Sequence, residues 1–209
     1  MMADSKMSEF IKVLSSSEPV PGGGGASGYA AAIGMALGNM VANLTSGKKK
    51  YAEYQTEIEE ILIEGEKIAQ ELMEFMDKDA EAFEPLARAY SLPKTTEEEA
   101  AQRTLIMEKA LKTASEAPLA LMEKITEALV LINRLSEIGS RIAISDAGVA
   151  AQMCKAALAG ASLNVFINTK LMKDRELAAE LDARAERLLA TGNCTADAAY
   201  ARVVKAIRG

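Results

Sequence analysis

The sequence contains no histidine and no tryptophan, and aromatic residues make up only 4% of it. Without histidine, a Ser-His-Asp or Cys-His catalytic arrangement is excluded, and so is a metal held by imidazole. Any acid–base chemistry must therefore use Asp, Glu, Lys, Tyr or Cys. The 2 cysteines, Cys154 and Cys194, lie far apart and match no metal-binding spacing. We therefore expect no metal site and no disulfide framework.

Positive charge is also scarce, because 24 Lys and Arg stand against 30 Asp and Glu, for a net charge of −6. This balance disfavours a nucleic-acid partner, since phosphate contacts need a basic face. The N-terminus has early acidic residues and no apolar core, so it does not resemble a signal peptide. Residues 26–46 are uncharged, but Ala, Gly, Asn and Ser are frequent there, which indicates a buried helix rather than a membrane span. We expect a cytoplasmic protein that binds neither nucleic acid nor membrane.

Helix-favouring residues dominate the chain, and no segment shows the alternation typical of a strand. The helix at residues 26–46 is apolar or small all round, as a central buried helix would be. Pro85 is expected to kink or divide the end of its helix, and other helices are expected to end at Pro118, near Gly139 and at Gly192. The predicted fold is all-α and multihelical, with about seven to nine helices in a single domain over residues 1–209. The expected helices lie near residues 7–14, 26–46, 51–90, 95–118, 122–139, 145–171, 173–192 and 195–207.

The stretch SEPVPGGGGASG contains a formal G-x-G-x-x-G, formed by Gly23, Gly25 and Gly28. A dinucleotide-binding fold needs a strand directly before such a loop, and SSSEPVP does not read as one. A P-loop is excluded as well, because no Gly-Lys-Ser or Gly-Lys-Thr follows. We predict a proline-braced loop that ends at Gly25, just before the buried helix. This loop either lets a ligand approach its backbone N–H groups or packs tightly on another helix.

Several polar residues lie on stripes that are otherwise apolar. Asp79 lies on one predicted helix, Asn164 and Asn168 lie one turn apart on another, and Asn39 and Asn43 do the same on the buried helix. A buried carboxylate or amide is costly unless it has partners. These residues therefore form either structural hydrogen-bond networks or the wall of a polar pocket between helices.

A run of three lysines, Lys48 to Lys50, follows Gly47, the predicted end of the buried helix. Cations at this position offset the helix dipole, and surface lysines are usually solvated. In an acidic protein they also form a local patch that can bind an anion, such as a substrate carboxylate. Both interpretations stay open at the level of the sequence.

Several short motifs together carry a resemblance to a known family. They are Pro-x-Pro-Gly-Gly-Gly, a small-residue helix with Met-Val near its end, Leu-Thr-x-Gly-Lys-Lys-Lys-Tyr, Asp-x-x-Ala-Phe, Ser-Asp and Asn-Val-x-x-Asn. The residues that form them here are Pro19 to Gly24, Met40-Val41, Leu44 to Tyr51, Asp79 with Ala82-Phe83, Ser145-Asp146, and Asn164 to Asn168. With them, the chain resembles the formiminotransferase–cyclodeaminase C-terminal-domain family, which includes free-standing methenyltetrahydrofolate cyclohydrolases.

The resemblance extends from about residue 8 to residue 170 and has one departure in the glycine loop. Gly25 and Ala26 stand where many relatives have a serine and then an apolar residue. Ser27 is therefore the candidate stand-in for the serine hydroxyl.

The resemblance implies a multihelical homodimer that binds a tetrahydrofolate derivative as substrate and holds no cofactor permanently. It implies hydrolysis of 5,10-methenyltetrahydrofolate to 10-formyltetrahydrofolate. The alternative within the family is a cyclodeaminase, which converts 5-formiminotetrahydrofolate to the methenyl form and releases ammonia. A second alternative is a non-catalytic helical binding protein that kept the fold.

On this resemblance, a carboxylate would take the proton of the attacking water, and Asp146 is the first candidate and Asp79 the second. Their alternative roles are a helix N-cap for Asp146 and a buried ion-pair partner for Asp79. Lys48 or a neighbouring lysine would position the intermediate, act as an acid or bind the glutamate tail. Asn164 and Asn168 would contact the amide edge of the pterin. The expected substrate-binding residues are Gly22, Gly23, Gly24, Gly25, Ser27, Asn43, Lys49, Lys50, Ser145, Asn164 and Asn168.

Overall fold

Helices form almost everywhere that the apolar periodicity predicts them. The computed structural model describes residue 2 and residues 5–209, and within these residues no strand is present. This confirms the all-α prediction. The helices are α1 (Met7–Leu14), α2 (Gly23–Asn43), α3 (Gln55–Tyr90), α4 (Glu97–Ile138), α5 (Ile144–Thr169) and α6 (Arg175–Arg208), with a 3-10 helix (Lys49–Tyr54) between α2 and α3.

Among the long helices α2 to α6, α2 and α5 have the fewest charged residues, and they lie at the centre of the packing. Helix α2 has no charged residue, and it packs on α3 and α5, while α5 packs on α2, α4 and α6. The two run antiparallel, since Gly23 lies beside Asn164 and Gly34 lies beside Ala150. The main hydrophobic cluster includes residues of α2 to α6, so these helices form a single domain.

Burial of α2 is one-sided, which differs from the predicted helix buried all round. Ala31, Met35 and Val41 are fully buried, whereas Met40 and the C-cap residue Leu44 are exposed. Helix α2 therefore packs between α3 and α5 but exposes one of its faces to solvent.

Two predicted helix breaks, at Pro118 and Gly192, are wrong. Both residues lie inside continuous helices, and both are buried. Pro118 has no backbone N–H, so one hydrogen bond of the helix is missing there. Burial of neighbouring apolar residues such as Leu119 and Met122 offsets the free-energy cost of that missing bond. Gly192 is a packing residue rather than a helix end, because a Cβ there would overlap Leu158 Cδ2. The chain consequently has six α-helices in its described part, fewer than the seven to nine predicted.

Helix α3 ends at Tyr90, as predicted, and Pro85 does not divide it, but the helix begins at Gln55 and not at residue 51. The helix that was expected to run from residue 26 to residue 46 instead covers Gly23–Asn43, so it begins inside the glycine run. Gly47, with a φ of +73°, lies in the turn that follows, where glycine is favoured.

Judged by length and composition alone, helix α5 is long enough and apolar enough to cross a membrane. In the folded protein, 44% of the most apolar 18-residue segment of α5 is buried. The core helix of a soluble protein meets the same criterion. The expectation that the protein binds no membrane stays a prediction.

Replacing Gly34 with Val is expected to lower the free energy of unfolding by about 1–3 kcal/mol, as overpacking commonly does. A Cβ there would lie 2.6 Å from Cys154 Sγ and 3.1 Å from the Ala150 carbonyl oxygen, which belongs to a helix backbone that yields little. Urea denaturation at one fixed protein concentration measures the change. Ala190→Val on the exposed side of α6 is the control, and equal stability of both variants would contradict close α2–α5 packing.

Candidate active site

A cavity of about 260 Å³ lies where the start of α2 meets α3, α4 and the C-terminal half of α5. Among the lining residues that the structure describes, Asp79 is the only one with a titratable side chain. The wall of the cavity therefore contains one titratable group, and its other described residues are neutral. Its lining residues are Pro19, Val20, Gly22, Gly23, Asp79, Phe83, Ala114, Asn164, Ile167 and Asn168.

The glycine run forms the first turn of α2 rather than a loop that ends at Gly25, and this corrects the prediction. Gly22 is the N-cap residue and offers no side chain to the free N–H groups of that turn. Asp79 supplies one acceptor from α3, since the Gly25 N–H donates to its Oδ2 over 3.1 Å. A Cβ at Gly24 would overlap the Asp79 carboxyl group. Glycine at position 24 thus lets the carboxyl group lie directly against the helix start.

The Asp79 carboxyl group is half-buried, and burial raises its pKa above the ordinary value of 3.8. The hydrogen bond from the Gly25 N–H opposes this shift but is the smaller of the two effects. A raised pKa brings a carboxyl group closer to the pH range in which it can both accept and return a proton efficiently. Asp79 therefore has the environment expected of an acid–base residue rather than of a buried ion-pair partner.

The two asparagines of α5 line the same cavity and are anchored through their amide nitrogens. Asn164 Nδ2 donates to the Gly160 carbonyl over 3.0 Å, and Asn168 Nδ2 donates to the Ala114 carbonyl over 2.8 Å. These bonds fix the side chains and leave the Oδ1 acceptor and one N–H of each amide available to a ligand. An N–H edge of a heterocycle is the kind of group that such acceptors bind.

A second polar cluster lies at the other end of α2 and α5. Lys48 Nζ donates to Ser140 Oγ over 3.1 Å, and the Arg141 N–H donates to the Tyr51 hydroxyl over 3.1 Å. The Arg141 N–H is the main cause of the lowered pKa of Tyr51, and Lys48 and Lys50 add to it. This end of the helix pair α2 and α5 is therefore positively charged and favours binding of an anion.

Asp146, the first candidate for the catalytic base, lies at this second end and not in the cavity. It occupies the first turn of α5 and is not the N-cap, which is Ala143. With a rise of ~1.5 Å per residue, Asp146 and Asn168 are about 33 Å apart along α5. A single chain therefore does not bring Asp146 or Lys48 to Asp79.

Other residues with predicted binding roles are also outside the cavity. The Ser27 hydroxyl donates to the Gly23 carbonyl over 2.8 Å and lies against α5, so it does not replace a serine at the cavity wall. Asn43 is exposed and donates to the Asn39 carbonyl. Ser145 lines an apolar groove between α5 and α6. Lys49 and Lys50 are exposed in the 3-10 helix.

Sequence reasoning missed several residues of both clusters. Phe83 enters the sequence analysis only as part of the Asp-x-x-Ala-Phe motif and without a role, yet it lines the cavity one turn after Asp79. That spacing of four residues was the available signal, since such residues share a helix face. Ser140 and Arg141 gave no signal, because their contacts with Lys48 and Tyr51 bridge distant parts of the sequence.

Comparison with known proteins matches the chain to one family. The model of the formiminotransferase-cyclodeaminase family matches residues 6–187. The methenyltetrahydrofolate cyclohydrolase of Methylorubrum extorquens is 40% identical over 203 residues, which are 97% of this chain and 98% of that protein. The formimidoyltransferase-cyclodeaminase of Gallus gallus is 33% identical over 180 residues, which are 86% of this chain but only 33% of that longer protein.

A solved structure is also similar to this chain. The crystal structure of formiminotetrahydrofolate cyclodeaminase from Thermotoga maritima superposes with a TM-score of 0.82 at 29% identity. The superposition covers 100% of this chain and 98% of that one. The whole fold, including the helices that surround the cavity, is therefore shared.

Proposed function

The chain belongs to the formiminotransferase-cyclodeaminase family, and on that premise we propose that it hydrolyses 5,10-methenyltetrahydrofolate to 10-formyltetrahydrofolate. The observation that carries the proposal is the half-buried Asp79, whose pKa is raised by burial in a cavity of otherwise neutral residues. The similarity to a cyclohydrolase over nearly the full length of both chains supports the choice of reaction.

The reaction needs one group that accepts and returns a proton. Water attacks the cationic carbon that bridges N5 and N10, and the Asp79 carboxylate takes the proton of that water. The bond from the carbon to N5 then breaks as Asp79 returns its proton to N5, and the hydroxyl group on the carbon releases its remaining proton to solvent as the C=O forms. The formyl group stays on N10. A carboxylate beside the cationic substrate also stabilises its charge, and burial strengthens that interaction.

The neutral residues of the cavity would hold the pterin. The Oδ1 atoms of Asn164 and Asn168 would accept hydrogen bonds from the N–H edge of the ring, and Phe83 would offer an aromatic face. Gly22 and Gly23 would allow the substrate to approach the backbone at the start of α2. The cationic cluster around Lys48, Lys49 and Lys50 lies at the other end of α2 and α5. Within one chain it would therefore not reach the glutamate carboxylates of a substrate held in this cavity.

A cyclodeaminase is the second candidate, supported by the solved relative from Thermotoga maritima. In that reaction N10 attacks the formimino carbon on N5, the ring closes, and ammonia leaves. Protonation of the leaving nitrogen needs an acid, and a carboxyl group with a raised pKa suits that role equally. The geometry of the cavity therefore fits both chemistries.

The absorbance of 5,10-methenyltetrahydrofolate in the near ultraviolet tests the proposal. Loss of the band with purified protein, well above a control without protein, would support the cyclohydrolase. No acceleration would contradict it. Appearance of the same band from 5-formiminotetrahydrofolate would then identify the cyclodeaminase, and silence in both assays would leave the non-catalytic binding protein.

Activity is expected to fall with decreasing pH through a midpoint above the ordinary aspartate value of 3.8, because burial raises the pKa of Asp79. The base form is required, so activity is lost as Asp79 becomes protonated. The dependence of kcat/KM on pH reports the free enzyme and is the quantity to measure. A kcat/KM that stays constant down to about pH 4 would contradict this assignment.

The proposal also includes a homodimer in the cytoplasm, with no permanently bound cofactor. Family resemblance is the reason for the homodimer, and the folate chemistry of the relatives agrees with a soluble enzyme. Light scattering on the purified protein measures the mass in solution, and a monomer would contradict this part of the proposal.

A further inference from the structure

One wall of the cavity does not belong to a long helix. Most lining residues lie on α3, α4 and α5 or at the start of α2, but Pro19 and Val20 belong to the irregular segment between α1 and α2. Pro19 is exposed and Val20 is partly buried, so this segment forms the outer rim of the cavity. We call residues 15–21 the rim segment.

The rim segment has no hydrogen bonds to the long helices in the part of the chain that the structure describes. Its hydrogen bonds run back to α1 or stay within the segment, as from the Ser15 N–H to the Ile11 carbonyl and from the Glu18 N–H to Ser16 Oγ. The two prolines of the segment have no N–H to donate. The position of the rim therefore depends on how its two ends are held.

The C-terminal end of the rim segment is fixed by packing on the start of α2. Pro21 is buried, and its Cβ would lie 3.5 Å from a Cβ at Gly25. Gly22, the N-cap residue of α2, follows Pro21 directly. This end is therefore tied to the same helix start whose Gly25 N–H donates to Asp79.

The N-terminal end of the rim segment follows α1, and the one buried residue of α1 is Phe10. Phe10 is 5% exposed, and its ring centroid lies 5.3 Å from that of Tyr29 on α2, with the two rings tilted by 60°. Tilted pairs at this distance are favourable for aromatic rings. Met7 and Ile11 are 63% and 51% exposed, so they contribute little to the attachment of α1. Phe10 is therefore the main anchor of this helix.

The rest of α1 packs loosely. A cavity of about 530 Å³ lies beside it, and Phe10, Pro21 and Asp77 of α3 are among the residues that line this cavity. The Met2 N–H donates to Asp77 Oδ1 over 2.8 Å, which is a further attachment to α3. That bond precedes α1, however, whereas the rim segment follows α1. Loss of the Phe10 ring would therefore free the end of α1 from which the rim segment continues.

We propose that Phe10 is a positioning residue for substrate binding, because it anchors α1 and thereby holds the rim segment at the cavity. The inference rests on the proposed function for the substrate, whereas the anchoring itself does not depend on that function. Phe10 does not line the catalytic cavity, so it acts through Pro19 and Val20 and does not touch the substrate. Asp79 is held by α3 and by the Gly25 N–H, so its chemistry does not require the anchor.

The split between KM and kcat tests this role. Phe10→Ala is expected to raise the KM for 5,10-methenyltetrahydrofolate about tenfold, as for a rim that is in place about a tenth of the time, while kcat stays within about twofold of wild type. Phe10→Leu keeps an apolar anchor, so its KM should return most of the way to the wild-type value. Ile11→Ala truncates the next side chain, on the exposed side of α1, and is the matched control with normal KM and kcat. A loss confined to kcat, or equal KM values in Phe10→Ala and Ile11→Ala, would overturn the proposal.

Trypsin cleavage after Lys12 tests the anchor without an activity assay. Lys12 is an exposed residue of α1, and cleavage of a helix requires local opening, so the rate follows the fraction of time that α1 is released. Phe10→Ala should be cleaved at least about tenfold faster than wild type, and Ile11→Ala at the wild-type rate. Wild-type protein with these cleavage rates but no turnover would contradict the proposed function alone. Equal cleavage of Phe10→Ala and wild type would overturn the anchoring role of Phe10.

Tetrahydrofolate links the anchor to the cavity in the same cleavage assay. A ligand in the cavity holds the rim segment in place, so tetrahydrofolate should slow cleavage of the wild-type protein after Lys12. In a protein with cyclohydrolase turnover, cleavage that tetrahydrofolate leaves unchanged would overturn the coupling between α1 and the cavity.

Discussion

Asp79→Asn is expected to reduce turnover of 5,10-methenyltetrahydrofolate by about 10²- to 10⁴-fold, the range of general acid–base groups, while the protein stays folded. Asparagine keeps the shape of the side chain and an acceptor for the Gly25 N–H. The change therefore removes the titratable proton with little effect on the packing at the start of α2. Turnover of the purified variant under saturating substrate measures the loss.

The stability of the same variant distinguishes a catalytic role from a structural one. Burial raises the pKa of Asp79 in the folded state, so the charged form costs free energy as pH rises through that pKa. At neutral pH, Asp79→Asn should therefore unfold at an equal or higher urea concentration than wild type. The advantage should shrink below the ordinary pKa of 3.8, where the carboxyl group is protonated in both the folded and unfolded states.

Asp77→Asn is the matched control for that experiment. Asp77 lies two residues earlier on α3, and its carboxylate accepts from the Met2 N–H rather than lining the cavity. Normal turnover is expected for this variant. Retained turnover in Asp79→Asn, or an equal loss in both variants, would contradict the role of Asp79.

Local sequence patterns predicted the helices well but misplaced their breaks. Pro118 and Gly192 are helix-breaking residues by intrinsic propensity, and both are buried within long helices. Packing against other helices determines whether a helix continues through such a residue. A single sequence does not show that Gly192 will lie against Leu158 or that residues near Pro118, such as Met122, will be buried. The number of helices was therefore overestimated, while the all-α class was correct.

The candidate site was predicted in its residue types but not in its geometry. Asp79, Asn164 and Asn168 were identified as polar residues on apolar stripes, and the fold brings them to one cavity. Asp146 and Lys48 belong to the same set of motifs, yet the antiparallel arrangement of α2 and α5 carries them to the other end. A set of sequence motifs shows which residues occur in the same protein but not how far apart they lie in the fold. The separation of Asp146 and Lys48 from the cavity is therefore visible only in the structure.

Gly24→Ala is expected to lower turnover by about 10²-fold, the effect typical of a misplaced catalytic group. The new Cβ would overlap the Asp79 carboxyl group, which must then move away from the start of α2. Gly25→Ala is the matched control, since its Cβ would lie 3.5 Å from Pro21 Cβ and 3.6 Å from the Met76 carbonyl, both ordinary contacts. It also keeps the N–H that donates to Asp79, so near-normal turnover is expected. Because Gly24 acts through Asp79, Gly24→Ala combined with Asp79→Asn should be no slower than Asp79→Asn alone, and an additive loss would show that Gly24 has a separate role.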